Sequence, residues 1–288
     1  MSKYRSSTLL LTSIPPITKD ERFELRLAYQ KRCVESWIKT GHRPISLNTI
    51  QEINDLIDLF PDMEFRITRR TTEPIIHRPL VFIHDALTEG LSTECRRISL
   101  CNADVLFEPA IPITQAIADD IALAYSNRFD VPDERDLNRG KMFYGIDYAN
   151  MSKAFVETIP ESPFAFGLPW WDYWIPMLCL AKSAPVRLSA GGAPLLRHKI
   201  HGDRWDHASF VFLSQYYFDS LGNLPQEEKY DRNITEGDWK AYCERPSDKH
   251  ADFRTQFFAH LARQAWIHIR DRSHHHDFFV ATSNSKAQ

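Results

Sequence analysis

The sequence predicts an α/β sandwich around a mainly parallel sheet. Two observations carry this: short apolar runs alternate with helix-periodic segments through the first half of the chain, and capping boxes open helices soon after two of those runs. Thr8–Thr12 (TLLLT) is an apolar run closed by Ser13-Ile14-Pro15-Pro16, which fits a buried strand and a loop. Thr18 with Glu21 forms a capping box for a helix whose Phe23, Leu27, Val34, Trp37 and Ile38 share one face, ending near Gly41. Residues 44–47 read as the second strand. Thr49 and Glu52 form the second capping box, and Ile50, Ile53, Ile57 and Phe60 recur at helical spacing until Pro61. Residues 65–67 and 80–83 are further strands. Arg97–Cys101 (RISLC) alternates as a strand does and runs directly into Asn102-Ala103-Asp104. A helix at about 113–122 and a strand within 125–131 complete this half.

Residues 133–141 (DERDLNRGK) read as an exposed loop. Residues 145–206 are rich in aromatics and Pro with few clear helices, and helical patterns return at 209–221 and 252–271. The expected division is therefore an α/β domain over 1–206 and a helical extension, 207–288, packed on it. His274-His275-His276 reads as an exposed tail run without function.

Composition narrows the function. With 35 basic against 38 acidic residues, the net charge of −3 argues against a dedicated nucleic-acid binder. Ten Gly in 288 residues make a Gly-rich phosphate loop unexpected. The five Cys are scattered and never spaced C-x-x-C, which reads as reduced thiols in a cytoplasmic protein. No signal peptide is expected, because the early apolar run is only Leu9–Leu11. The window 164–186 is broken by Pro169, Asp172, Pro176 and Lys182, so no membrane span is expected, although peripheral association stays open.

Four features carry chemistry. Asn102-Ala103-Asp104 sits at a strand end, where ligands of parallel sheets collect and a carboxylate can bind a divalent cation. Gly145-Ile146-Asp147-Tyr148 follows the polar loop; alone it would read as an ordinary turn. Gly167-Leu168-Pro169-Trp170-Trp171-Asp172-Tyr173-Trp174 combines indole faces suited to stacking on a sugar with a carboxylate suited to general-base work; the competing reading is an aromatic helix start facing the core. In the segment from Arg197 to His207, His198 and His201 could complete a metal site begun by Asp104, while Lys199 and Arg204 could hold phosphate.

In this order the four features resemble the GT-A glycosyltransferases, the nucleotide-diphospho-sugar transferase superfamily, over roughly residues 8–206. The resemblance implies a GT-A-like, Rossmann-type sandwich that takes a nucleotide-diphosphate sugar at its strand ends and transfers the sugar to a glycan or other hydroxyl acceptor, with Mn²⁺ or Mg²⁺. It makes Thr12, Ser13, Asn102, Asp104, Lys199 and Arg204 the nucleotide-sugar contacts. Trp170 and Trp171 become the acceptor contacts, and Asp172 and Asp147 the catalytic carboxylates. Asp104, His198 and His201 become the metal ligands. Asn102 stands where many members have Asp. HKIHGDRW differs by one in spacing from the H-x-x-G-x-x-K-P-W of retaining members, with Arg204 in place of Lys, so retention and inversion both stay open. The rivals are a nucleotidyltransferase, whose Gly-rich loop is missing from SIPPITKDER, and a catalytically silent sugar- or protein-binding module.

Overall fold

The computed structural model describes residues 8–108, 117–126, 128–133, 135–143, 145–189, 196–201, 207–220 and 274–276. β1 (Thr8–Thr12) is buried at every position, as a strand covered on both faces must be. Leu9 and Leu11 enter one core cluster and Leu10 the other, on the opposite face. α1 (Phe23–Lys39) returns the chain to β2 (His42–Asn48), α2 (Ile50–Leu56) leads to β3 (Glu64–Ile67), and α3 (Glu73–Ile76) and α4 (Ile83–Leu91) precede β4 (Arg97–Cys101). β5 (Val105–Phe107), β6 (Leu123–Ser126), β7 (Arg128–Val131), β8 (Lys141–Phe143) and β9 (Tyr148–Ser152) follow. Next come α5 (Lys153–Val156), α6 (Trp171–Ala181), β10 (Val186–Ser189), β11 (Leu196–Lys199), α7 (His207–Ser220) and β12 (His274–His276).

The main sheet runs β12-β10-β6-β9-β4-β1-β2-β3. Every pairing is parallel except the two made by β9, so the mainly parallel α/β architecture read from the sequence is the one observed. A second sheet, β5-β11-β7-β8, stands beside it. None of the described helices is long and apolar enough to cross a membrane.

Several local expectations change. The Thr49 capping box forms as read, with Thr49 Oγ1 accepting from Glu52 N–H and Glu52 returning to Thr49 N–H. The Thr18 box does not. There the chain turns through Asp20, and α1 begins at Phe23 with no side-chain cap. Residues 80–83 are not a strand: Val81 and Phe82 make isolated bridges, and α4, which the pattern did not reveal, starts at Ile83. Residues 117–122 are turns rather than helix. Residues 113–116 and 252–271 lie outside the described residues.

The aromatic segment is a helix, α6, and it is packed rather than open. Trp170 stacks near Phe210 (5.3 Å) and Tyr217 (5.1 Å) of α7, and Trp174 Nε1–H donates to Ser220 Oγ at 2.9 Å. Phe210, Leu213 and Tyr217 thus belong to the main core cluster, across the expected 206/207 boundary. His274–His276 is likewise not a free tail. It pairs in parallel with β10 as the edge strand of the main sheet.

Only one of the two boxes makes its bonds, which sets up a contrast. Thr49→Ala should cost about 1 kcal/mol, the usual value of an N-cap side chain, whereas Thr18→Ala should stay within about 0.5 kcal/mol, as surface changes do. Urea denaturation of both variants measures the difference; equal losses would mean that the Thr18 box also forms.

Candidate active site

A cleft of about 250 Å³ opens where β1 and β4 end, lined by the loops that follow those strands and by Arg128, Phe143 and His198 of the second sheet. All four sequence features meet there: Asn102 and Asp104, Gly145 and Asp147, the Gly167–Asp172 run, and His198 with His201. Ser13 joins them. Its loop is pinned from β2, since Ile14 N–H donates to Ser46 Oγ (2.9 Å) and Asn48 Nδ2 donates to Ile14 O (2.9 Å).

The turn carrying Asp104 is held from behind by α1. Tyr29 Oη donates to Asp104 O (3.0 Å), Gln30 Nε2 to Ala103 O (2.6 Å) and Trp37 Nε1 to Val105 O (2.8 Å). With its backbone fixed, the Asp104 carboxylate reaches the two histidines. Oδ2 lies 3.0 Å from His201 Nε2 and 3.7 Å from His198 Nε2, and the two Nε2 atoms are 3.2 Å apart. Donors bound at about 2.1 Å and at right angles to one another sit about 3 Å apart, so this triangle fits one face of a metal's coordination shell. One carboxylate and two imidazoles form a donor set for a divalent transition metal.

His198 is supported in turn. Its Nδ1 is 3.0 Å from Asp130 Oδ1, directly opposite on the neighbouring strand. Burial alone would lower the His198 pKa, but the Asp104 and Asp130 carboxylates outweigh it and hold it at about 9. Arg128, largely buried, pairs with Asp130 (Nε to Oδ1, 2.7 Å) and with Asp147 (2.5 Å), and its guanidinium lies over the Phe143 ring. Gly145 allows this: a Cβ there would meet the Arg128 Cζ at 3.0 Å. Asn102 Nδ2 donates to Asp147 Oδ1 at 2.6 Å. That bond explains the Asn, because an Asp at 102 would face the Asp147 carboxylate with no proton to give.

Asp147 is 4% exposed, with one oxygen accepting from Asn102 and the other from Arg128. Asp172 differs. It lines the cleft at the start of α6, and the one hydrogen bond resolved to its carboxyl is a long one, 3.5 Å, from Ile146 N–H. Burial, reinforced by the nearby Asp147 charge, pushes its pKa up to about 7, against the pull of Arg128.

Other assignments shift. Trp170 and Trp171 border the cleft but are each 1% exposed, so neither indole offers an open face for stacking; their contact area goes to the core. Trp170 also holds a left-handed backbone (φ 81°), a conformation costing a bulky residue about 1–3 kcal/mol. Thr12 is fully buried behind the cleft and does not line it. Lys199 follows His198 on β11, and alternation along the strand turns it away from the cleft, towards Asp133. Arg204 lies outside the described residues. The sequence reading gave no role to Asp130, Arg128 or Arg78, all three of which stand in or beside the cleft. Charged residues inside an otherwise ordinary strand, Arg-Phe-Asp-Val, were the available signal for two of them.

The raised Asp172 pKa has a consequence for stability. The folded chain holds this proton between about pH 4 and pH 7 while the unfolded chain releases it, so stability falls as pH rises through that window. The contribution is at most about 1.4 kcal/mol per pH unit. Asp172→Asn should flatten it. Urea denaturation at pH 5 and pH 7.5 compares the two chains, and an unchanged difference would show that the native carboxyl is already ionised at pH 5.

No family model and no curated protein matches the sequence. Among solved structures, the chain is similar to the inositol-1-phosphate CTP transferase of T. maritima (12% identity, 74% of this chain and 96% of that one, TM-score 0.42). It is similar too to 4-diphosphocytidyl-2C-methyl-D-erythritol synthase of Anaerococcus prevotii (8% identity, 74% and 98%, TM-score 0.42). A glycosyltransferase involved in the glycosylation of the major capsid of PBCV-1 is a more partial match (12% identity, 52% and 62%, TM-score 0.23).

Proposed function

We propose that this chain is a metal-dependent glycosyltransferase that moves a sugar from a nucleotide-diphosphate donor to a hydroxyl acceptor. The observation carrying this reading is the convergence of Asp104, His198 and His201 in the same cleft as Asp172. Of the two cations expected, Mn²⁺ suits a pair of imidazoles better than Mg²⁺, which favours all-oxygen shells. A bound cation would neutralise the diphosphate charge that grows as the donor bond breaks.

The chain's own residues divide the remaining work. Arg78 brings positive charge to the cleft wall, which favours a diphosphate donor. Asp147 accepts from Asn102 on one oxygen and from Arg128 on the other, and so orients both neighbours. Asp172 is the base: its pKa near neutrality matches removal of a hydroxyl proton at physiological pH. The acceptor oxygen bonds to the anomeric carbon, the bond from that carbon to the diphosphate oxygen breaks, and the nucleoside diphosphate departs with the electron pair. The loop after β1, Ser13-Ile14-Pro15-Pro16, has no glycine, which counts against nucleotidyl transfer through a Gly-rich phosphate cradle.

A screen of nucleotide-sugar donors with Mn²⁺ tests this, scored by release of nucleoside diphosphate. Asp104→Ala should abolish turnover and weaken cation-dependent nucleotide binding with the fold retained. Asp172→Asn should lower turnover about 10²–10⁴-fold and leave donor binding nearly unchanged. Release of pyrophosphate from a nucleoside triphosphate and a sugar phosphate would instead make the chain a nucleotidyltransferase. Nucleotide binding without turnover on any donor would make it a binding module.

A further inference from the structure

Two histidine nitrogens 3.2 Å apart can serve one cation only if each ring presents a lone pair rather than a proton. For His198 the choice is made on its other side. β7 and β11 pair in parallel with His198 opposite Asp130, which sets Nδ1 3.0 Å from Asp130 Oδ1. In the neutral ring, a hydrogen bond donated from Nδ1–H to that carboxylate leaves the lone pair on Nε2, the atom that faces Asp104 and His201. Asp130 itself is not free to swing. Arg128 Nη2 donates to its Oδ2 at 3.3 Å, and the same guanidinium is anchored at its far end by Asp147.

We propose that Asp130 is the positioning residue of the cation corner, fixing the tautomer and ring plane of His198, with Arg128 as the strut that keeps Asp130 in place. The inference rests on the metal-dependent reading above and deepens it by naming a residue that does not touch the cation. Partners of this kind behind a metal-bound histidine are worth about 10–100-fold in metal affinity. Because Arg128 spans Asp130 and Asp147, the corner that holds the cation and the corner carrying Asp147 share one rigid connection.

The test titrates the full-length chain with Co²⁺, whose visible absorption reports the ligand set independently of any sugar transfer. Asp130→Ala should bind Co²⁺ about 10–100-fold more weakly, with an altered spectrum. Asp130→Asn, which keeps an acceptor oxygen but loses the charge, should fall between that variant and the unmodified chain and keep the spectral shape. Asp133→Asn, an exposed neighbour paired with Arg135, should change nothing. Unaltered Co²⁺ affinity and spectrum in a folded Asp130→Ala overturn the proposal; if that variant fails to fold, unaltered affinity in Asp130→Asn overturns it. An unmodified chain that binds no Co²⁺ overturns this proposal together with the metal-dependent reading. One that binds Co²⁺ with the Asp130 dependence, yet transfers no sugar, overturns glycosyl transfer alone.

Discussion

Arg128 keeps a full charge where little water reaches it, and two carboxylates from different parts of the chain make that tolerable. Asp130 comes from the same strand, two residues on, and Asp147 from the approach to β9. Removing one partner from such a buried pair typically costs about 3–5 kcal/mol, since the remaining charge is stranded. The second sheet and the main sheet are therefore joined at the cleft by an interaction that neither can lose cheaply. Asn102, Gly145 and Phe143 fit around it, the first by donating to Asp147, the second by leaving room, the third by lying beneath the guanidinium.

That constraint also separates two acids of the same type. Asp147 has a donor on each oxygen. Asp172, close enough to feel the Asp147 charge, receives a single long hydrogen bond among those resolved and is raised towards neutrality by burial. Environment rather than residue type sets the two apart. The Asp104 turn shows the same division: Tyr29, Gln30 and Trp37 of α1 bond its backbone carbonyls, while the carboxylate faces the two histidines.

Much of this was legible in the sequence. RISLC followed by Asn-Ala-Asp placed a carboxylate at a strand end, and Asp147, Asp172, His198 and His201 each stood out by chemistry and order along the chain; all line the one cleft. What escaped was long-range register. Asp130 meets His198 only because β7 and β11 pair with those two residues opposed, a fact that no local pattern contains. Lys199 stands off the cleft because residues 196–199 form a strand, whose alternation separates it from His198. The indoles of Trp170 and Trp171 looked available for sugar because the partners that claim the aromatic segment, Phe210 and Tyr217 beside Trp170 and Phe166 against Trp171, had no mark of adjacency in the sequence.

The three histidines at 274–276 form the outermost strand of the main sheet, paired to β10 at Arg187, Leu188 and Ser189. During synthesis the ribosome delivers these residues long after β10 has been made, so β10 waits with a bare row of backbone donors and acceptors. An uncovered parallel edge is a template for another copy of the chain. A fragment ending before residue 274 would carry that edge permanently, and self-association would then arise from missing backbone partners rather than from any defect in the cleft.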